Sequence, residues 1–112
     1  MMDRDSKQSR PATIAISETT SGAIDLGGLT AIGLYMPAAF DGLEITPTVC
    51  DTIGGTYVAE YDTETEAEIT VPVTTGVFVR FASPVRAPFL KLVSSAAESA
   101  TRTIRVACVE GV

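Results

Sequence analysis

Histidine and tryptophan are absent from the 112 residues, and cysteine occurs only twice, at Cys50 and Cys108. Without histidine the chain lacks the commonest general base, the Ser–His and Cys–His nucleophile pairs and most zinc sites. It also lacks a phosphate-binding Walker loop, and its Gly-Gly pairs do not have the spacing or the following helix of a dinucleotide site. These absences argue against an enzyme, and the sequence predicts no cofactor and no bound metal.

Long apolar runs are also lacking, since no stretch approaches the roughly 20 residues that a membrane helix needs. The first residues, MMDRDSKQSRP, are polar with mixed charge, which is not the pattern of a secretory signal peptide. The sequence therefore predicts neither membrane association nor export. Two cysteines in an intracellular protein are more often free thiols than a disulfide, although Cys50 and Cys108 could pair.

Positive charge is missing from most of the chain. No Lys or Arg occurs from Pro11 to Val79, whereas five basic residues and one acid, Glu98, lie between Arg80 and Arg105. The formal net charge is −6. Because phosphate binding needs clustered Lys and Arg, nucleic acid is not expected as a partner. The distribution predicts a domain that is polarised, with an acidic side and a basic side.

Period-two alternation dominates the remaining sequence and predicts strands. Residues 103–109 place Ile104, Val106 and Cys108 on one inward face, and residues 43–50 alternate around Pro47, which favours an edge or a bulge. Eight or nine such segments are separated by turn residues, without an amphipathic helix. This spacing predicts an all-β fold, an antiparallel β-sandwich that is jelly-roll-like with about eight strands.

In the segment from Leu29 to Met36, both the even and the odd positions carry apolar residues. The even positions hold Ile32, Leu34 and Met36, and the odd positions hold Ala31 and Tyr35. Such a strand is expected in the centre of a sheet, either covered on both faces or meeting a partner subunit.

The domain boundary is predicted near the first proline. Residues Met1 to Pro11 are polar, lack periodicity and end in Pro, so they are expected to form a flexible arm. Residues 12–112 are expected to form a single β-sandwich domain. Deletion of Met1 to Arg10 is then expected to leave that domain folded.

The most visible charged feature is a run of acids at alternate positions: Glu60, Asp62, Glu64, Glu66 and Glu68. In an extended segment this spacing would place all five carboxylates on one face. The run is interpreted first as a solvated strand that repels edge-to-edge pairing. The alternatives are an electrostatic contact with a basic surface, such as the Arg80–Arg105 region of a neighbouring copy, and a calcium site, although no Asp-x-Asp-x-Asp-Gly loop is present.

Three segments carry a family resemblance: SGAIDLGG, then GLYMPAAFDG, then GGTYVAEYD, with the later strand FLKLVSS. They resemble segments of small structural virion proteins of tailed bacteriophages, and the similarity covers Ser21 to Ser95. The loop from Ala82 to Pro88 and the N-terminal residues depart from the family's pattern. The resemblance supplies no catalytic residues.

The resemblance implies a capsid decoration or cement protein that binds the major capsid protein and stabilises the phage head. Such a protein would lie on the head surface of the virion, be assembled in the host cytoplasm, and form a homo-oligomer, a dimer or a trimer. The candidate contacts with the capsid or with other copies are basic residues near the start and in the later part of the chain, together with the acidic run. They are Arg4, Lys7, Arg10, Arg80, Arg86, Arg102, Arg105 and the five acids Glu60, Asp62, Glu64, Glu66 and Glu68.

Two other roles remain open. One is a glycan-binding or structural sandwich domain of a phage tail, baseplate or head fibre, and the other is a head–tail joining protein. Sugar platforms use exposed aromatic rings, and the tyrosines are Tyr35, Tyr57 and Tyr61. Tyr57 and Tyr61 share a parity, which favours packing into the sandwich for both.

Overall fold

Eleven strands and no helix occur in residues 7–110, the part of the chain that this computed structural model describes. The strands are β1 (Lys7–Ile14), β2 (Ile24–Asp25), β3 (Leu29–Tyr35), β4 (Glu44–Cys50), β5 (Val58–Ala59), β6 (Tyr61–Asp62), β7 (Ala67–Glu68), β8 (Val71–Pro72), β9 (Phe78–Val85), β10 (Phe89–Ser94) and β11 (Arg102–Glu110). Within these residues no helix is long and apolar enough to cross a membrane.

Nine of the eleven strands form two antiparallel sheets that face each other, and β6 and β7 form a separate two-stranded sheet. The first sheet has the order β1-β11-β3-β9, and the second has the order β2-β10-β4-β5, with β8 also paired to β4. The chain passes from one main sheet to the other between β1 and β2, β2 and β3, β3 and β4, β8 and β9, β9 and β10, and β10 and β11. This repeated exchange is the connectivity of a jelly roll. The all-β sandwich expected from the sequence is therefore confirmed.

One apolar core lies between the two sheets, because alternate residues of each long strand point inward. Ile104, Val106 and Cys108 of β11 are buried, as their alternation predicted. They belong to the same buried cluster as Leu90 and Leu92 of the second sheet, which face them across the sandwich. Full burial of a side chain of this size stabilises the fold by about 1.5–3 kcal/mol.

The central strand β3 lies between β11 and β9, as its apolar character predicted. Its facing pattern was predicted wrongly. Gly33 pairs with Ala107 while Ala31 pairs with Cys108, so Ile32 is an extra residue in β3. This bulge reverses the parity, since a single added residue moves every following side chain to the other face. Ala31 is therefore in the core and Ile32 is only half-buried.

Pro47 lies in a strand with neighbours on both sides, not at an edge. On one side β4 pairs with β10 from Ile45 to Cys50. On the other side β8 pairs at Glu44 and Ile45, and β5 pairs at Thr48 and Val49. Pro47 falls in the gap between those two partners, which suits a residue that lacks a backbone N–H.

The first strand corrects the predicted arm. β1 begins at Lys7, and all eight of its residues pair with β11, from Lys7 opposite Val109 to Ile14 opposite Arg102. Pro11 is accommodated because β1 is at the edge of its sheet, where one side of the ladder has no partner. The domain therefore starts at least five residues before the predicted residue 12, and the rest of the predicted arm, residues 1–6, lies outside the described range.

Candidate functional site

The outer face of the first sheet, which points away from the core, holds the most distinctive surface of the domain. The strand register places two rows of side chains side by side on this face. One row crosses the four strands as Pro11, Arg105, Tyr35 and Phe78, and the next as Ser9, Ala107, Gly33 and Arg80. We call these two rows, together with Ile32, the outer face.

Two aromatic rings form the centre of the outer face. The rings of Tyr35 and Phe78, on neighbouring strands, have centroids 4.7 Å apart and are tilted by 45°. A Cβ at Gly33 would lie 2.5 Å from Cζ of Phe78 and 2.6 Å from the carbonyl oxygen of Val79, so only glycine allows the ring to lie there. Gly33 thus leaves the space that the ring of Phe78 occupies against the strand backbone.

Despite this packing the rings remain open to solvent. Tyr35 is 53% exposed and Phe78 is 39% exposed, and they border a shallow groove of about 420 Å³ that Ile32, Val109 and Gln8 also line. An exposed group of apolar side chains on a soluble domain commonly marks a contact surface for a protein or another ligand. The outer face is therefore the candidate binding site.

Two arginines flank these rings. Arg105 lies opposite Tyr35, and its guanidinium donates hydrogen bonds to Ser9 Oγ at 3.0 and 2.9 Å. Arg80 lies opposite Gly33 and is exposed. Neither arginine forms an ion pair with the described part of the chain. Because the two rows contain no acid, the outer face is basic as well as aromatic.

The other predicted basic contacts are dispersed. Arg86 is exposed in the turn between β9 and β10. Arg10 is half-buried near β2, where it donates to the carbonyl oxygen of Asp25 at 3.3 Å and to Gln8 Oε1 at 2.9 Å. Lys7 begins β1, and Arg4 lies outside the described residues. Of the five predicted basic residues whose side chains the structure describes, it brings Arg80 and Arg105 together on the outer face.

Arg102 has a role inside the domain. It forms ion pairs with Asp41 at 2.8 Å and with the buried Glu98 at 3.2 Å. Glu98 also accepts hydrogen bonds from the backbone N–H groups of Asp41 and Gly42, and from the hydroxyl of Ser94. These bonds join the loop before β4 to the loop after β10. Arg102 is thus committed to the fold and is a poor candidate for a partner contact.

The same cluster lowers the pKa of one of its members. The hydrogen bond from Arg102, followed by one from the backbone N–H of Ser99, holds the pKa of Asp41 well below its ordinary value of 3.8. Both contacts favour the ionised carboxylate. Asp41 is therefore ionised at neutral pH.

The acidic run forms a hairpin, which corrects the expectation of one extended face. β6 pairs with β7, so Tyr61 lies opposite Glu68 and Asp62 opposite Ala67. The turn is closed by bonds to Asp62, whose side chain accepts from the N–H of Glu64 at 2.8 Å and whose carbonyl accepts from that of Glu66 at 2.8 Å. Glu64, Glu66 and Glu68 are exposed, and this acidic hairpin (residues 60–68) belongs to neither main sheet.

At the base of the acidic hairpin the remaining two acids face a cleft. Glu60 and Asp62 line a space of about 220 Å³ that Arg80 and Phe81 of β9 also border. Burial raises the pKa of Glu60. No group of three His, Cys, Asp or Glu side chains able to hold a metal ion occurs in residues 7–110.

The tyrosines and cysteines separate into different environments. Tyr61 is 59% exposed on the hairpin, so its predicted packing into the sandwich is wrong. Tyr57 is half-buried, with Nζ of Lys91 4.6 Å from its ring centroid. Cys50 is half-buried at the end of β4 and Cys108 is buried in β11, and both are free thiols.

Two important residues escaped the sequence reasoning. Phe78 lies two residues before Arg80 in the same predicted strand, so both side chains point to the same face. Since Arg80 was predicted to point outward, this spacing could have indicated an aromatic ring on the outward face. Glu98 was visible as the single acid in the basic part of the chain. Its burial follows from long-range contacts to Asp41 and Gly42, 57 and 56 residues away, which no local pattern indicates.

Comparison with known proteins leaves the surface as the main evidence on function. No protein-family model, curated protein or solved structure matches the chain. The resemblance of its LYMPAAF region to phage structural proteins therefore stays a hypothesis.

Proposed function

We propose that this protein is a non-enzymatic structural protein of a phage virion, which decorates the capsid and stabilises the head by binding the major capsid protein and other copies of itself. The observation that carries the proposal is the outer face. Its groove is shallow, and its exposed rings, Tyr35 and Phe78, are flanked by Arg80 and Arg105, which form no ion pair within residues 7–110. Interfaces between proteins are enriched in aromatic residues and arginine.

The rest of the domain suits a rigid surface module. The chain exchanges sheets repeatedly, and the cluster around Glu98 ties two loops together. A rigid scaffold loses little conformational entropy on binding. In a virion many identical sites lie close together, so contacts that are modest individually bind with avidity.

Cosedimentation with empty shells tests the proposal. Shells assembled from the major capsid protein of the same genome, without this chain, are mixed with the purified protein and pelleted. We expect saturable binding and a higher melting temperature of the shells, because a ligand of the native assembly stabilises it. Absence of binding, with no change in shell melting, would contradict the proposal.

A matched pair of variants locates the contact. Tyr35→Ala removes the exposed ring from the outer face and should weaken shell binding about tenfold or more, as expected for a central aromatic contact. Ile53→Ala removes a side chain that is similarly exposed, at 60%, but lies in the loop after β4. That control variant should bind shells like the wild type.

A second candidate is glycan binding by a tail or fibre domain, and the exposed Tyr35 ring with its polar neighbours Ser9 and Gln8 favours it. A glycan array separates the two roles. Binding to a defined glycan that Tyr35→Ala abolishes, without shell binding, would select this second role.

A further inference from the structure

The acidic hairpin and the outer face are complementary in charge. The three exposed carboxylates of the hairpin, Glu64, Glu66 and Glu68, lie in a part of the sequence that has no Lys or Arg from residue 11 to residue 79. The outer face carries Arg80 and Arg105 and no acid. Each surface thus has an excess of one sign that the described chain leaves uncompensated.

The two surfaces do not neutralise each other within one copy. The ion pairs of the described residues all involve Arg102, whose partners are Asp41 and Glu98. Arg80 borders the cleft at the base of the acidic hairpin, yet no carboxylate there comes within ion-pair distance of it. The charges at the tip are therefore available to another molecule.

Apolar groups accompany the charges on both sides. Tyr61 is 59% exposed on the hairpin, and Tyr35 and Phe78 are exposed on the outer face. A contact between the two surfaces would bury three aromatic rings within a border of opposite charges. Buried rings supply most of the binding energy in such an interface, and the charges supply orientation and specificity.

We propose that the acidic hairpin of one copy docks on the outer face of a second copy of this chain. The inference rests on the proposed function, because it identifies a binding partner for the same outer face. A face-to-face pairing of two outer faces would bring Arg80 and Arg105 against their own counterparts, and like charges in contact oppose association. Docking of hairpin on face pairs opposite signs, and each copy offers one surface of each kind.

Because the two surfaces differ, the contact can be exchanged between two copies or repeated around a closed ring. Either arrangement uses every hairpin and every outer face. The outer face then acts in shell binding through the oligomer, because several joined copies meet the shell at once and a variant that loses the contact between copies loses that avidity.

Charge reversal and mixing test the proposal on the purified chain. Sedimentation velocity is measured for the wild type, for the face variant Arg80→Glu/Arg105→Glu and for the hairpin variant Glu64→Lys/Glu68→Lys. Glu66 is left unchanged because its backbone has a φ of 57°, a strained turn position. We expect each variant alone to associate at least about tenfold more weakly than the wild type.

Mixing the two reversed variants is the decisive step. A reversed face and a reversed hairpin again have opposite signs, so the mixture should regain association between unlike chains. Arg86→Glu and Glu18→Lys/Glu44→Lys change charge at exposed positions outside the two surfaces and should associate like the wild type. Thermal unfolding of every variant checks that the fold is retained.

Three results would overturn the proposal: a wild type that stays monomeric, variants that associate normally, or a mixture that does not recover. Shell binding keeps this outcome separate from the proposed function. A monomeric wild type that still binds shells would refute the contact between copies and leave the capsid role standing. Copies that associate as described but do not bind shells would support the contact between copies and contradict the capsid role.

Discussion

Replacing Glu98 by glutamine tests whether a buried carboxylate holds two loops of the sandwich together. Oε1 of Glu98 accepts from the N–H of Asp41 at 2.9 Å and from Nε of Arg102 at 3.2 Å. Oε2 accepts from the N–H of Gly42 at 3.1 Å and from Oγ of Ser94 at 2.9 Å. Glutamine keeps one acceptor oxygen, but its NH₂ group places a donor where the other oxygen accepted.

The expected loss follows from these four bonds. Glu98 is 1% exposed, so water cannot replace a lost partner. One buried donor left without an acceptor costs about 1–3 kcal/mol, and loss of a charge-assisted bond costs a similar amount. Relief from burying the charge offsets part of this cost. The net decrease in unfolding free energy should be about 2–4 kcal/mol, which lowers the melting temperature by about 10 °C.

Urea unfolding followed by far-ultraviolet circular dichroism measures the change, with Glu64→Gln as the control. Glu64 is exposed on the acidic hairpin and its side chain makes no bond within the described residues, so its replacement should change stability by less than about 0.5 kcal/mol. A Glu98→Gln protein that unfolds within about 0.5 kcal/mol of this control would refute the reasoning.

Three further predictions concern the ion pair, the thiols and the first strand. The low pKa of Asp41 contributes stability that is present above its ordinary value of 3.8 and lost as the pH falls below it, so the stability difference between wild type and Asp41→Asn should shrink on acidification below about pH 4. Cys50 should react with a thiol reagent in the native protein, whereas the buried Cys108 should react only on unfolding; equal native rates would contradict this. Deletion of Met1–Arg10 removes half of β1 and should lower the unfolding midpoint clearly below that of a chain that lacks only Met1–Ser6; equal midpoints would show that the pairing of Lys7–Arg10 with β11 contributes nothing.

The sequence predicted those features of the fold that depend on local alternation. The inward residues of β11 were placed correctly because its side chains alternate without interruption through Ile104, Val106 and Cys108. The jelly-roll class followed from the number and spacing of such segments. The central position of β3 followed from the apolar residues that it carries at both odd and even positions.

Features that depend on pairing between distant strands were not predictable in the same way. The bulge at Ile32 arises from the register between β3 and β11. Because of it, β3 was predicted correctly as a strand, but its inward and outward residues were assigned to the wrong faces. The acids from Glu60 to Glu68 alternate as in a strand, yet the chain reverses within them. For Pro11, the sequence could not show that the strand would lie at an edge, where proline is tolerated.

The candidate site was predicted only in part. The sequence drew attention to Arg80, Arg105 and Tyr35 separately, but their grouping results from the order β11-β3-β9. Phe78 joins them because Gly33 leaves room for its ring. The site thus depends on tertiary pairing, whereas the charges of the acidic hairpin, its proposed partner surface, are readable from the sequence.

The number of copies per virion tests the central proposal most directly. Quantitative mass spectrometry of purified phage particles, calibrated against the major capsid protein, supplies that number. A decoration protein that repeats over the symmetric shell should be present at on the order of hundreds of copies. A dozen copies or fewer would contradict the capsid role and favour a tail or joining position. Absence of the protein from the particles would also contradict the capsid role.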